Sequence, residues 1–196
     1  GAVPQMIIIK PLTATEGTAV YHVCTGNTKG GYMNMTNSFF TGTYYWNDTS
    51  PTSTVFSLGN HVLNNGSGKV MVAYAFTNKI GFSKFGKYYG TGSSTIPPLV
   101  TMGFKPSLVL IKNSGATGDW LLYDNSRSPF NEIDDQLLAN TAAAETTGSE
   151  EIKFLSNGFA PAATDASINT SGNTYLYAAW ATNPFGGEET TPSTAY

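Results

Sequence analysis

Charge is scarce in this chain. Asp, Glu, Lys and Arg make up 12% of its 196 residues, against about 25% in an average soluble domain. Ten basic and 13 acidic residues leave a formal net charge of -3, so no basic stripe exists for a phosphate backbone to follow and nucleic acid is not an expected partner. Cysteine is nearly absent. The single Cys24 excludes an intrachain disulfide and a four-cysteine zinc site, and reads as a small, buried or half-buried apolar residue. The two histidines, His22 and His61, stand too far apart for adjacent metal ligands, and His22 reads as a strand residue at a surface or half-buried position. No Walker loop, GxSxG elbow or dinucleotide fingerprint occurs, and the Gly-rich stretch from Gly90 to Thr95 reads as a turn. Apolar runs such as Met6 to Ile9 and Leu108 to Ile111 fall far short of the roughly 20 residues of a membrane helix. Nothing at the start reads as a signal peptide, so the chain reads as soluble with no membrane partner.

Glycine, threonine, asparagine and aromatic residues are plentiful, and the chain is written twice. GAVPQMIIIKPLTATEGTAVY reappears 102 positions later as GFKPSLVLIKNSGATGDWLLY, ungapped, with seven of 21 positions identical: Gly1/Gly103, Pro4/Pro106, Ile9/Ile111, Lys10/Lys112, Ala14/Ala116, Thr15/Thr117 and Tyr21/Tyr123. Farther on the offset becomes 104, and Ser67 to Phe76 falls on Ser171 to Trp180. A period near 100 residues is too long for a solenoid unit and suits a domain with its own core. The first copy has no counterpart of the strand-like segment from Gly81 to Met102, so its missing strand is expected from a longer chain or from another chain.

The short branched runs at Met6 to Ile9 and Leu108 to Ile111 predict strands buried on both faces. Each is followed by a Gly/Ser/Thr turn and a second strand at hairpin distance. Glu151 to Pro161 predicts a strand with a turn at Asn157-Gly158, and Ser53 to Leu63 takes its place in the first copy, with Gly59 as the turn. Each copy closes on an aromatic strand, where Trp180 reads as core. Glu132 to Ala144 is the best helical stretch, rich in Leu and Ala, and predicts at most a short helix or an irregular loop. The expected architecture is all-β: two tandem antiparallel β-sandwich domains, jelly-roll or lectin-like, related by internal duplication, with a closed barrel as the alternative. The domains span residues 1–78, lacking an initial strand, and 79–185, followed by an extended polar tail, 186–196.

Catalytic residues are not evident. Glu132, Asp134 and Asp135, with Glu145, Glu150 and Glu151 beyond, form an acidic cluster that reads first as solvated, then as a weak calcium site, and last as a glycosidase pair. No cofactor or metal is otherwise called for. Aromatics in polar settings stand out: Tyr44, Tyr45 and Trp46 lie between Thr-Gly-Thr and Asn-Asp-Thr, and Trp120 follows Gly-Asp. Rings stacking on sugar C–H faces, with amides and carboxylates bonding hydroxyls, make Tyr44, Tyr45, Trp46, Trp120 and Asp124 candidates for glycan binding, with a core position as the alternative for Trp120.

Five motifs of the second copy carry a resemblance: Gly103-Phe104-x-Pro106 with Ile111-Lys112; Trp120-x-x-Tyr123-Asp124-x-x-Arg127; Asn140-Thr141; Phe154-x-x-Asn157-Gly158-Phe159; and Ser171-Gly172 before the closing strand. On these it resembles a repeated domain of the large virion proteins of tailed phages, found in tail fibres and other surface components. The resemblance implies a place on the virion surface among other virion proteins, and no enzymatic activity. The first copy reads Tyr21-His22-Val23-Cys24-Thr25 where the second has its Asp and Arg, so Asp124 and Arg127 are read as a structural ion pair bracing a hairpin. The expected function is therefore a non-enzymatic virion structural or surface protein (fibre, spike or capsid decoration) attaching to host surface. A lectin-like carbohydrate-binding module is the alternative, and a polysaccharide depolymerase acting through Asp134 and Asp135 comes third. A homo-oligomer completed by strand addition, through the truncated first copy or the tail, is expected.

Overall fold

The computed structural model describes residues 1–148, 152–182 and 184. The expectations placed on the tail 186–196, and on Glu150 and Glu151, lie outside the described residues. Strands β1 (Met6–Pro11), β2 (Ala19–His22), β3 (Lys29–Tyr32), β4 (Phe40–Thr41) and β5 (Met71–Phe76) form one antiparallel sheet in the order β4-β3-β2-β1-β5. Two one-turn helices, α1 (Thr43–Trp46) and α2 (Val62–Asn65), lie between β4 and β5. Then follow β6 (Ser83–Tyr89), β7 (Val100–Thr101), β8 (Pro106–Asn113), β9 (Trp120–Asp124), β10 (Gln136–Leu138), β11 (Ile152–Leu155), β12 (Gly158–Pro161) and β13 (Thr174–Ala181). They make a second five-stranded sheet, β10-β9-β8-β13-β6, and a three-stranded sheet, β11-β12-β7. The protein is all-β, with three antiparallel sheets and only two short helices among the described residues.

In both large sheets a run of consecutive strands, β1 to β4 and β8 to β10, has a later strand returning beside its first, the Greek-key order. Their registers also correspond. Ile7 faces Tyr21 on one side and Ala75 on the other, and Val109 likewise faces Tyr123 and Ala179. Met6 lies between His22 and Phe76 as Leu108 lies between Asp124 and Trp180.

The sheets stack because their strands are apolar on both faces. Along β13, Leu176 and Ala178 point toward the first sheet, while Tyr175, Tyr177 and Ala179 point away from it, as the two-residue period of a strand requires. Between the sheets, Met6, Val20 and Phe39 of the first half meet Phe85, Leu110, Trp120 and Leu176 of the second. This core crosses the 78/79 boundary, so the two inner faces of the central sandwich come from different halves. Outside it, the second sheet is covered by Phe154 and Phe159 of the three-stranded sheet. The first sheet is covered by Tyr45, Trp46 and Leu63 of the helices.

The two covers differ where sequence reasoning expected them to match. The strand and turn predicted over Ser53 to Leu63 do not form: the stretch before α2 carries no strand. Thr52 Oγ1 accepts from the N–H groups of Thr54 and Val55, a local turn that competes with ladder formation. Glu132 to Ala144 is irregular, as the loop alternative expected, except for one short strand. Ile133 bridges to Ile152, and Gln136–Leu138 pairs with β9 as β10, so packing at a sheet edge overrides the propensity of Leu and Ala. His22 is not at the surface either: it is 1% exposed. Its Nε2 donates to the Tyr177 carbonyl across the seam (3.2 Å) and its Nδ1 accepts from Cys24 N–H (3.2 Å). Cys24 is half-buried and packs at the same seam.

Trp120 ties the halves together. Its indole N–H donates to the Tyr32 carbonyl (2.7 Å) and its ring meets Phe39 edge-on at 6.1 Å. Beside it, the fully buried Lys112 donates to the carbonyls of Thr36 and Gly118 with its ammonium over the Trp120 ring. Burial lowers the Lys112 pKa to about 8, against the opposing pull of Asp119.

Two outcomes follow for stability. Trp120→Ala should cost about 3–5 kcal/mol in a denaturant titration, the range for emptying a large aromatic site. Burial holds the His22 pKa down to about 4, with the Tyr177 carbonyl opposing, whereas an exposed histidine titrates near about 6.5. Between these values the unfolded chain takes up a proton that the folded chain refuses. Stability is therefore complete above the unfolded pKa and declines as pH falls toward the folded one, by up to about 3 kcal/mol. Urea midpoints measured downward from neutral pH should show this slope, and His22→Gln should remove it.

Candidate functional site

The loop after β4 and the segment leading into α2 enclose an open cleft of about 560 Å³ on the outer side of the first sheet. It is walled by Thr43, Tyr44, Asn47 and Asp48 from one side and by Leu58, Gly59, Asn60 and Asn65 from the other. The local sequence explains its shape. Gly42 precedes α1 in extended backbone, and Asn47 ends the helix at φ 52 with Asp48 following at φ 48. Two successive left-handed residues other than glycine are uncommon, and Asn and Asp are the types that tolerate them, at about 1 kcal/mol or more each. The strain sits on two residues that line the cleft.

Opposite, Gly59 packs against the backbone of Tyr44 so closely that a Cβ would lie 1.9 Å from the Tyr44 carbonyl oxygen. Gly59 N–H donates to the Tyr45 carbonyl (2.9 Å) and Asn65 Nδ2 to the Gly59 carbonyl (2.7 Å). The buried Asn64 donates to Tyr45 O at 2.5 Å. His61 accepts from Leu63 N–H through Nδ1 (3.3 Å) and stacks on Tyr44 at 5.0 Å between ring centroids. Burial lowers its pKa, so the ring holding Tyr44 is neutral at neutral pH. Tyr44 is thereby fixed with 42% of its surface exposed. The side chains of Asn47, Asp48 and Asn60 make none of the hydrogen bonds found among the described residues, and all three are exposed on the cleft wall.

Of the five residues singled out from sequence, only Tyr44 faces this cleft. Tyr45 and Trp46 are 0% and 1% exposed, and they roof the first sheet. Tyr45 OH meets Tyr32 OH at 2.7 Å, and Trp46 Nε1 donates to the Lys29 carbonyl at 3.0 Å. The 3.6-residue period of a helix accounts for this, because residues 45 and 46 share the face toward the sheet while 44 faces out. Trp120 is 2% exposed in the inter-sheet core. None of these three rings has a face open to a sugar, which corrects that expectation. Asp124 is engaged as well: Oδ1 accepts from Ser126 and Arg127 N–H (2.9 and 3.0 Å), and Oδ2 pairs with the Arg127 guanidinium, which also bridges to Glu145 at 2.6 Å. The pair braces the turn after β9. Of the acidic cluster, Glu132 pairs with Lys153 at 2.6 Å. No group of three His, Cys, Asp or Glu among the described residues is placed to hold a metal ion.

A single family model matches residues 1–184, spanning both sheets, the helices and the three-stranded cover. The chain belongs to the DUF7483 family. That family is described as a domain of unknown function, and its unit contains both halves together. No curated protein and no solved structure matches the chain.

Sequence reasoning missed Asn60, Asn65 and His61, which lie 16 to 21 residues from Tyr44 with no shared motif. The available signal was Gly59, read as a turn, whose missing side chain admits the Tyr44 backbone. Gly59→Ala should therefore cost about 1–3 kcal/mol by overpacking, read as a lower melting temperature. It should also increase Tyr44 solvent exposure, read by quenching of tyrosine fluorescence in a tryptophan-corrected spectrum.

Proposed function

We propose that this DUF7483 chain is a non-enzymatic surface module of a tailed-phage particle, built by internal duplication, that recognises carbohydrate through the cleft at Tyr44. The cleft carries the reading. It combines one fixed, partly exposed aromatic ring with the amides of Asn47, Asn60 and Asn65, the hydroxyl of Thr43 and a single carboxylate, Asp48. A lining of amides and hydroxyls with one carboxylate matches a polyhydroxyl ligand: the ring covers C–H faces while the amides and the carboxylate exchange hydrogen bonds with hydroxyls. Hydrolysis by an acid pair needs two carboxylates flanking the bond, and the cleft lining offers one. Duplication is supported by the matching registers of the two sheets at the same offsets that align the sequence. The place on a virion rests on the motifs of the second copy, Trp120-x-x-Tyr123-Asp124-x-x-Arg127 chief among them, and on a sparsely charged polar surface.

The test is an array of bacterial surface polysaccharides probed with the full chain, Tyr44→Ala and Asp48→Asn, with melting curves for each. Binding that drops at least tenfold in Tyr44→Ala at unchanged melting temperature is the expected result. Silence across the array, or binding indifferent to both substitutions, would overturn the carbohydrate reading.

A further inference from the structure

The two large sheets differ at one edge. In the second sheet, β13 is flanked on both sides: β8 on one, and β6 on the other over Thr174–Trp180, with Thr174 opposite Tyr89 and Trp180 opposite Ser83. In the first sheet, β5 holds the corresponding place beside β1, and no strand covers its other side among the described residues. The hydrogen bond from Leu12 N–H to the Val70 carbonyl sets the phase of the β1–β5 ladder. Val72, Tyr74 and Phe76 therefore turn their main-chain groups to β1, and Met71, Ala73 and Ala75 turn theirs outward.

An open edge is a hazard that proteins blunt with lysine, proline, a bulge or a short strand. The other edges are blunted. β4 has two residues and β10 three, and β6 carries Lys84 and Lys87. β5 has none of these devices: its sequence Met-Val-Ala-Tyr-Ala-Phe is uncharged, free of proline and glycine, and pairs with β1 over six residues without a register shift. Ala73, Tyr74 and Ala75 are exposed along it, as is the neighbouring Val70.

We propose that β5 pairs with β5 of a second copy of this chain, antiparallel across a two-fold axis, joining two first sheets into one continuous sheet. Charge selects this occupant. A two-fold contact sets each strand against itself, which is free of like-charge opposition for β5 and places lysines near lysines for β6. The main chain supplies the bonds at Met71, Ala73 and Ala75, and the Tyr74 and Val70 side chains of the two copies cover each other beside the axis. The axis stands perpendicular to the sheet, so both Tyr44 clefts lie on the same side of the dimer.

Sedimentation equilibrium of the full chain over a range of concentrations should give twice the monomer mass at micromolar protein. Ala73→Pro removes an outward N–H at an edge where proline is tolerated, and Tyr74→Lys adds the missing guard charge. Each should weaken dimerisation at least tenfold while far-UV circular dichroism stays unchanged. Tyr74→Lys decides the matter if Ala73→Pro perturbs folding. In hydrogen exchange, the amides of Ala73 and Ala75 should be protected in the dimer and fast in Tyr74→Lys. A monomer at all concentrations, whether its Ala73 and Ala75 amides are fast or are protected by some other strand, overturns the proposal. So does a dimer that survives Tyr74→Lys.

Discussion

The structure depends on one buried face shared by two sheets. Each half contributes a sheet with too few residues beneath it to bury both sides, and contact with the other sheet closes the inner side of each. Trp120 lies at that contact, where a large ring can remove some 150–250 Å² from water. Its indole N–H must find an acceptor once water is gone, and the Tyr32 carbonyl from the opposite half provides it. Lys112 extends the same logic. Its ammonium is held by carbonyls from both halves, Thr36 and Gly118, so the loop after β3 is bound to the β8–β9 hairpin through a buried side chain. Removing any one partner strands another polar group in the seam.

The halves correspond most closely on the outer faces of their sheets, where Ile7, Ile9 and Tyr21 match Val109, Ile111 and Tyr123, and differ most at the seam. His22 and Asp124 occupy equivalent register positions opposite Met6 and Leu108, yet one is a neutral imidazole bonded across the seam and the other a carboxylate paired with Arg127 on a turn. Ile9 and Ile111 are both buried, but the adjoining Lys10 is exposed where Lys112 is enclosed. The ladder registers correspond in the two halves, and the side chains differ according to what covers them.

Much of the ladder was legible in the residues. The branched runs Met6 to Ile9 and Leu108 to Ile111 signalled doubly buried strands, because apolar residues on both sides of a pleat leave no face for water. The aligned repeats signalled equivalent strands, and β1/β8, β2/β9 and β5/β13 do occupy equivalent places. What was not legible depends on contacts between distant segments. Ser53 to Leu63 carries strand-like residues, but its hydrogen bonds go into a local turn at Thr52. Gln136–Leu138 carries helix formers, but β9 offers them an edge. The glycan candidates were drawn from aromatics in polar company, and polar neighbours in sequence do not mean a polar environment in space: Tyr45 and Trp46 turn inward on the same helical turn that turns Tyr44 out.

The two covers give the fold a division of labour. Beneath the helical cover, the first sheet offers Ile7, Ile9 and Tyr21 as an apolar platform, while the segment above is short, glycine-dependent and anchored to the sheet through Tyr45 and Trp46. Such a lid can be rewritten in length and polarity without disturbing the seam, since no residue of α1 or α2 belongs to the inter-sheet core. Substitutions confined to the some twenty residues of this roof would leave the paired sheets unchanged.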